Sequence, residues 1–148
     1  MIAGYFNGGR YQRRHPFVRV SILLPSITTD FVPVDFMIDT GATATCLHPL
    51  DTLGKLGIDP AALSDPTRWP RQQASWGIGG SANNYVHDAT YLFHHDDGTV
   101  AFTISTETID IAQPTRANQS FHSLLGMDLL RFFKLTMDPA SGIVFLEL

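Results

Sequence analysis

The chain has 148 residues, of which 44% are hydrophobic and 16% charged. That is enough for one domain with its own core, too short for two ordinary ones and too apolar for a disordered segment. A formal net charge of -4, with only a short basic cluster from Arg10 to His15, excludes an electrostatic footprint for nucleic acid, and the single Cys46 excludes an internal disulfide. Packing must therefore hold the fold, as in a reducing compartment.

Met1 to Arg14 mixes Gly, Asn and Arg with aromatics and lacks the continuous apolar stretch of a secretory leader. Residues 1–15 are expected to be a flexible extension, and residues 16–148 a single domain. No apolar run is long enough to cross a bilayer, so a cytoplasmic location is the expectation. The remainder reads as short apolar and β-branched runs divided by turn chemistry, the spacing of a mainly β barrel or sandwich. Phe17 to Leu24 is the first strand, Pro25 to Asp30 a turn, and Phe31 to Ile38 a strand that runs directly into Asp39-Thr40-Gly41-Ala42. Cys46 falls on an interior strand, where a thiol behaves as a small hydrophobe.

Pro49 to about Leu56 is a short helix, because Pro suits the first turn, Asp51 its positive end and Gly57 a stop. Asp59 to Arg71, with Pro60, Pro66 and Pro70, reads as a long connection. Two strands follow, Gln73 to Ile78 and Asn84 to Phe93, around Gly77-Ile78-Gly79-Gly80, a tip that permits unusual dihedrals and motion. Asp97-Gly98 is a hairpin turn between Tyr91 to Phe93 and Val100 to Ser105, and Thr108 to Ala112 is a further strand. Met127 to Phe133 reads as a helical segment, Asp138 to Gly142 as a turn and Ile143 to Leu148 as the last strand.

Phe36-Met37-Ile38 delivers one carboxylate, Asp39, into a tight loop of small residues. Taken alone, such an Asp could simply accept hydrogen bonds from nearby backbone N–H groups in a turn. Three features in one order along the chain favour chemistry: the Asp39 to Ala42 loop after an apolar strand, the glycine-rich Gly77 to Gly80 tip, and Leu124-Leu125-Gly126 followed by Met127-Asp128-Leu129-Leu130. In these the sequence resembles the retropepsin family of aspartic proteases from about Phe17 to Leu148. The helix-like His48 to Gly57 insert is more similar to bacterial members than to viral ones.

The resemblance implies a closed, mainly β barrel with one or two short helices and a homodimer acting on peptide or protein substrates. A chain of this length carries one Asp-Thr-Gly loop, whereas aspartic protease chemistry uses two carboxylates, so a second copy must supply the other. One carboxylate of the pair would draw a proton from water while its protonated neighbour polarises the scissile carbonyl, with no metal or cofactor. By resemblance Thr40 links the two loops, Gly41 meets the substrate main chain and Ala42 keeps the cleft floor small. Gly77, Ile78, Gly79 and Gly80 form a flap over the substrate, with Ile78 and Leu124 lining apolar pockets and Trp76 able to add a stacking wall.

The sequence departs from the viral pattern at Thr43 and Met127, where those proteases often carry an Asp and an Arg; both partners of one ion pair are absent together. The contact between copies is then built differently. The amino-terminal segment and Ile143 to Leu148 could form a sheet between subunits or close the subunit's own barrel. His94-His95-Asp96-Asp97 reads as a polar hairpin tip, since adjacent strand residues point to opposite faces and cannot share a metal. Ser120 and Ser123 lack a nucleophile elbow. The expected function is a homodimeric aspartic endopeptidase, and the alternative is a catalytically silent dimerisation or peptide-binding module on the same fold.

Overall fold

The computed structural model describes residues 1–7, 14–77 and 80–148. Among them the protein is mainly β. Its strands are β1 (Ile2–Ala3), β2 (Tyr5–Asn7), β3 (His15–Leu23), β4 (Val32–Ile38), β5 (Cys46–Leu47), β6 (Gln72–Gly77), β7 (Gly80–His94), β8 (Val100–Ala112), β9 (Leu124–Leu125), β10 (Lys134–Asp138) and β11 (Ile143–Glu147). The helices are α1 (Pro49–Thr52), α2 (Pro60–Leu63) and α3 (Met127–Leu130).

Eight strands pair in the order β2-β3-β4-β9-β5-β8-β7-β6, and β7 pairs again with β3 through Ser21↔Leu92, Ile22↔Tyr91 and Leu23↔Thr90. The order therefore returns on itself, leaving β2 and β6 as outliers. Alternation sets what lies inside: Val18, Val20 and Ile22 of β3 and Val34 and Phe36 of β4 are fully buried, with polar or half-buried residues between them. Tyr85, Ile111, Leu47 and Leu125 join them in one core.

Several elements differ from the sequence reading. Asp59 to Arg71 is not an open connection. Pro60 and Pro66 open α2 and a 3-10 turn at Pro66–Arg68, where a missing N–H costs nothing, and the Asp59 and Asp65 side chains accept the Ala61 and Thr67 N–H groups at 2.9 and 3.1 Å. Trp69 then stacks on Tyr85 at 4.7 Å and anchors the segment. Val100 to Ala112 is one strand that absorbs its irregularity in a register shift opposite Ala89 to Tyr91. β10, which the sequence reading leaves out, pairs with β11 along its whole length.

The flexible extension expected over residues 1–15 is also corrected where it is described. Ile2 is 3% exposed and pairs with Leu146 in a second sheet of order β1-β11-β10. Tyr5 pairs with and stacks on Phe17, at 5.6 Å between ring centroids. Burial, followed by the Asp35 carboxylate beside it, pushes the Tyr5 hydroxyl up to about 12. Gly4 crosses between the two sheets so closely that a Cβ there would lie 2.5 Å from the Phe17 carbonyl oxygen. Ile2 is buried and Phe6 half-buried against the core, which ties the described part of the segment to the domain. β1 and β11 thus pair with each other within the subunit.

Candidate active site

β4 ends at Ile38, and the ladder continues one step further as the Asp39 N–H donates to the Leu125 carbonyl at 3.0 Å. β9 lies between β4 and β5: Met37 and Ile38 pair in parallel with Leu124 and Leu125, while Cys46 pairs antiparallel with Leu124. The loop 39–45, which joins β4 to β5, therefore has to pass around the end of β9. Two of its carbonyls are satisfied by the segment after β9, as Met127 N–H donates to Ala42 at 2.8 Å and Asp128 N–H to Thr43 at 3.2 Å.

Two side chains brace this arrangement. Thr45 donates both its N–H (3.0 Å) and its hydroxyl (2.8 Å) to the Asp128 carboxylate, and the same hydroxyl accepts the Gly126 N–H at 3.0 Å. Asp128 also takes the Leu129 N–H at 2.9 Å. Below, the Ser123 hydroxyl donates to Asp51 of α1 at 2.5 Å and accepts the His48 N–H at 3.1 Å. Ser123 is completely buried, so it is a tether and no nucleophile. Asp128→Ala removes the acceptor for three donors and is expected to cost about 2–3 kcal/mol, read as a lower urea midpoint at unchanged slope.

Asp39 itself is half-buried at the open side of the loop, with Thr40, Gly41 and Thr43 exposed around it and Ala42 half-buried. One carboxylate oxygen, Oδ1, accepts the Gly41 N–H at 2.9 Å; among the described residues Oδ2 has no donor. The turn reading of Asp39 is thus half realised, with one oxygen structural and the other open to a reacting group. A lone carboxylate in this position can act as a base, but it cannot at the same time donate a proton to a carbonyl.

Of the other expected site residues, Leu124 is half-buried and adjoins the loop through its pairing with Met37. Trp76 and Gly77 end β6 and pair with Ser81 and Gly80 of β7, which gives the glycine-rich hairpin its two arms. Ile78 and Gly79 lie outside the described residues, as does the Trp76 side chain. Met127 is exposed next to the loop, and neither it nor Thr43 brings a charge there. At the polar hairpin tip Asp96 accepts the Ala3 N–H at 3.0 Å and Asp97 caps Thr99, so both carboxylates have structural partners.

The sequence reading missed Thr45, Asp51 and Asp128 as parts of the site's support. A helix N-terminal acid at Asp128 is visible from sequence, but its reach to Thr45 is not, because the two are joined only by the insertion of β9. Cys46 is buried as expected, and burial, followed by Asp110, pushes its thiol up to about 12.

No protein-family model matches the chain, and no curated protein matches it. Among solved structures, the EIAV protease complexed with the inhibitor HBY-793 is similar over 85% of this chain and 93% of that one, at 18% identity and a TM-score of 0.47. That protein is viral, and the expected nearness to bacterial members gains no support from it. Among the described residues no helix is long and apolar enough to cross a membrane.

Proposed function

We propose that the protein is an aspartic endopeptidase of the retropepsin type, active as a homodimer in which two copies of Asp39 share one proton and activate a water against an extended peptide. The observation that carries this reading is the Asp39 loop. It presents a carboxylate of which one oxygen has no donor among the described residues, while β9, Gly126 and Asp128 brace the loop from behind. A turn that served structure alone would gain nothing from so much bracing beneath an open carboxylate.

The roles follow from placement. Thr40 and Gly41 are exposed and available to a second loop and to a substrate main chain, and Ala42 leaves the floor shallow. Leu124 and Met37 offer half-buried apolar surface beside the carboxylate, which suits hydrophobic side chains at the cut. The β6–β7 hairpin supplies edge backbone groups for strand addition, since among the described residues β6 pairs with β7 alone.

The test is cleavage of a diverse peptide library between acid and neutral pH, with the protein concentration varied. A shared pair of carboxylates requires specific activity to fall on dilution below the dissociation constant of the dimer. Excess Asp39→Asn protein mixed with the wild type should then suppress activity by subunit exchange. Specific activity that is constant under both treatments would rule out the shared pair.

A further inference from the structure

Strand register puts a second acid on the same sheet face as Asp39. Met37 lies opposite Leu124, Leu124 opposite Cys46, and Cys46 opposite Asp110 of β8, so these four side chains share one face. Asp39, two positions after Met37 on the continuing ladder, belongs to that face as well. The other face carries Phe36, Ile38, Leu125, Leu47 and Ile111, which are the core. Asp110 thus stands on the row that starts beneath the candidate catalytic loop, three strand spacings away, or roughly 14 Å.

Asp51 and Asp110 are the two acids of the described residues that are only 5% exposed. Asp51 is answered by the Ser123 hydroxyl at 2.5 Å. Asp110 has no ion-pair partner among the described residues, where the cations Arg19, Lys55, Arg68, Arg71 and Arg131 pair with other acids. Burial raises its pKa, the Asn84 amide lowers it and the Asp128 carboxylate raises it further. That amide also donates to the Ser75 hydroxyl at 3.1 Å, at the base of the β6–β7 hairpin. A buried carboxylate is ordinarily paired, because its desolvation is otherwise uncompensated.

We infer that Asp110, with Asn84 and Ser75 beside it, is the floor of a specificity pocket that takes a basic side chain of the substrate, lysine or arginine, flanking the scissile bond. This rests on the proposed peptide cleft over the Asp39 face. The apolar Met37 and Leu124 serve the residues at the cut, and the acid serves a residue roughly four positions away, given the advance of an extended chain. Asn84 gives Asp110 a neutral hydrogen-bond partner, the cation would supply the opposite charge, and the hairpin base would register its arrival through Asn84 and Ser75.

The experiment uses full-length protein carrying Asp39→Asn, so that peptides bind without turnover. Labelled peptides with an apolar pair at the centre carry either lysine or leucine at each flanking position in turn, and binding is read by fluorescence anisotropy at pH 7. At one position lysine should bind about tenfold more tightly than leucine, the scale of one charge-assisted contact. Asp110→Asn should reduce that ratio to within about twofold while the leucine peptide keeps its affinity. The inference is overturned if lysine is favoured at no position, if the preference survives in Asp110→Asn, or if that variant weakens every peptide alike. The lysine scan decides the matter even if Asp110→Asn folds poorly. A wild type that shows the Asp110-dependent preference yet cuts nothing would sink the protease reading and leave the pocket standing.

Discussion

Asp39→Asn is expected to lower peptide cleavage by at least about a thousandfold, the scale of a positioned proton-transfer group, with the fold retained. Asn matches Asp in shape, and its oxygen can still accept the Gly41 N–H that Oδ1 accepts in the wild type. The amide cannot take a proton from water, and in a symmetric dimer both copies lose that capacity together. The side chain is half-buried beside exposed Thr40 and Gly41, so its loss should change stability by no more than about 0.5 kcal/mol. Thermal melting beside the cleavage assay separates the two effects. Residual activity above a tenth of the wild type would remove Asp39 from the chemistry.

Gly126→Ala should be strongly damaging for so small a substitution. A Cβ at this position would lie 2.6 Å from the Ala44 carbonyl carbon, 2.8 Å from its oxygen and 3.0 Å from the Ala42 oxygen. All three are backbone atoms of the loop that wraps β9, and a rotamer change cannot relieve them. Gly126 has φ -97, a conformation open to alanine, so the penalty is steric and not conformational. A loss of about 3 kcal/mol is expected, at the upper end for overpacking. Gly57→Ala is the control: its φ of +64 strains any L-residue, but nothing lies within 4 Å, so about 1 kcal/mol should be lost. Equal losses at the two positions in urea titrations would contradict the tight passage of β9 through the loop.

The parts of this fold that rest on near neighbours were readable from sequence. Alternation in Phe17 to Leu24 and Phe31 to Ile38 marks β3 and β4 because one face of each is buried, and Pro49 marks the start of α1 through local backbone preference, although the helix ends at Thr52 and does not run on to the stop expected at Gly57. What escaped depends on distant partners. Ile2 to Asn7 reads as loose chain until Leu146 and Phe17 are beside it. Lys134 to Asp138 has half-buried and exposed positions without clean alternation, and pairing with β11 makes it a strand. The Asp39 loop was legible as a motif, whereas its bracing by Thr45 and Asp128 arises from an insertion no local pattern records. Asp110 looked like one polar residue in an apolar strand until register set it on the row of Met37 and Leu124.

The placement of β9 also governs when the site can exist. Leu124 and Leu125 must settle between β4 and β5, and Ile2 must find Leu146, before either sheet is complete. Contacts of such long sequence separation form late, because the entropy of closing the intervening chain is lost before they repay it. During synthesis the Asp39 loop leaves the ribosome well ahead of the residues that fold it into shape. A nascent or truncated chain therefore carries the carboxylate without its geometry, which arrives only with Leu124 and the residues after it.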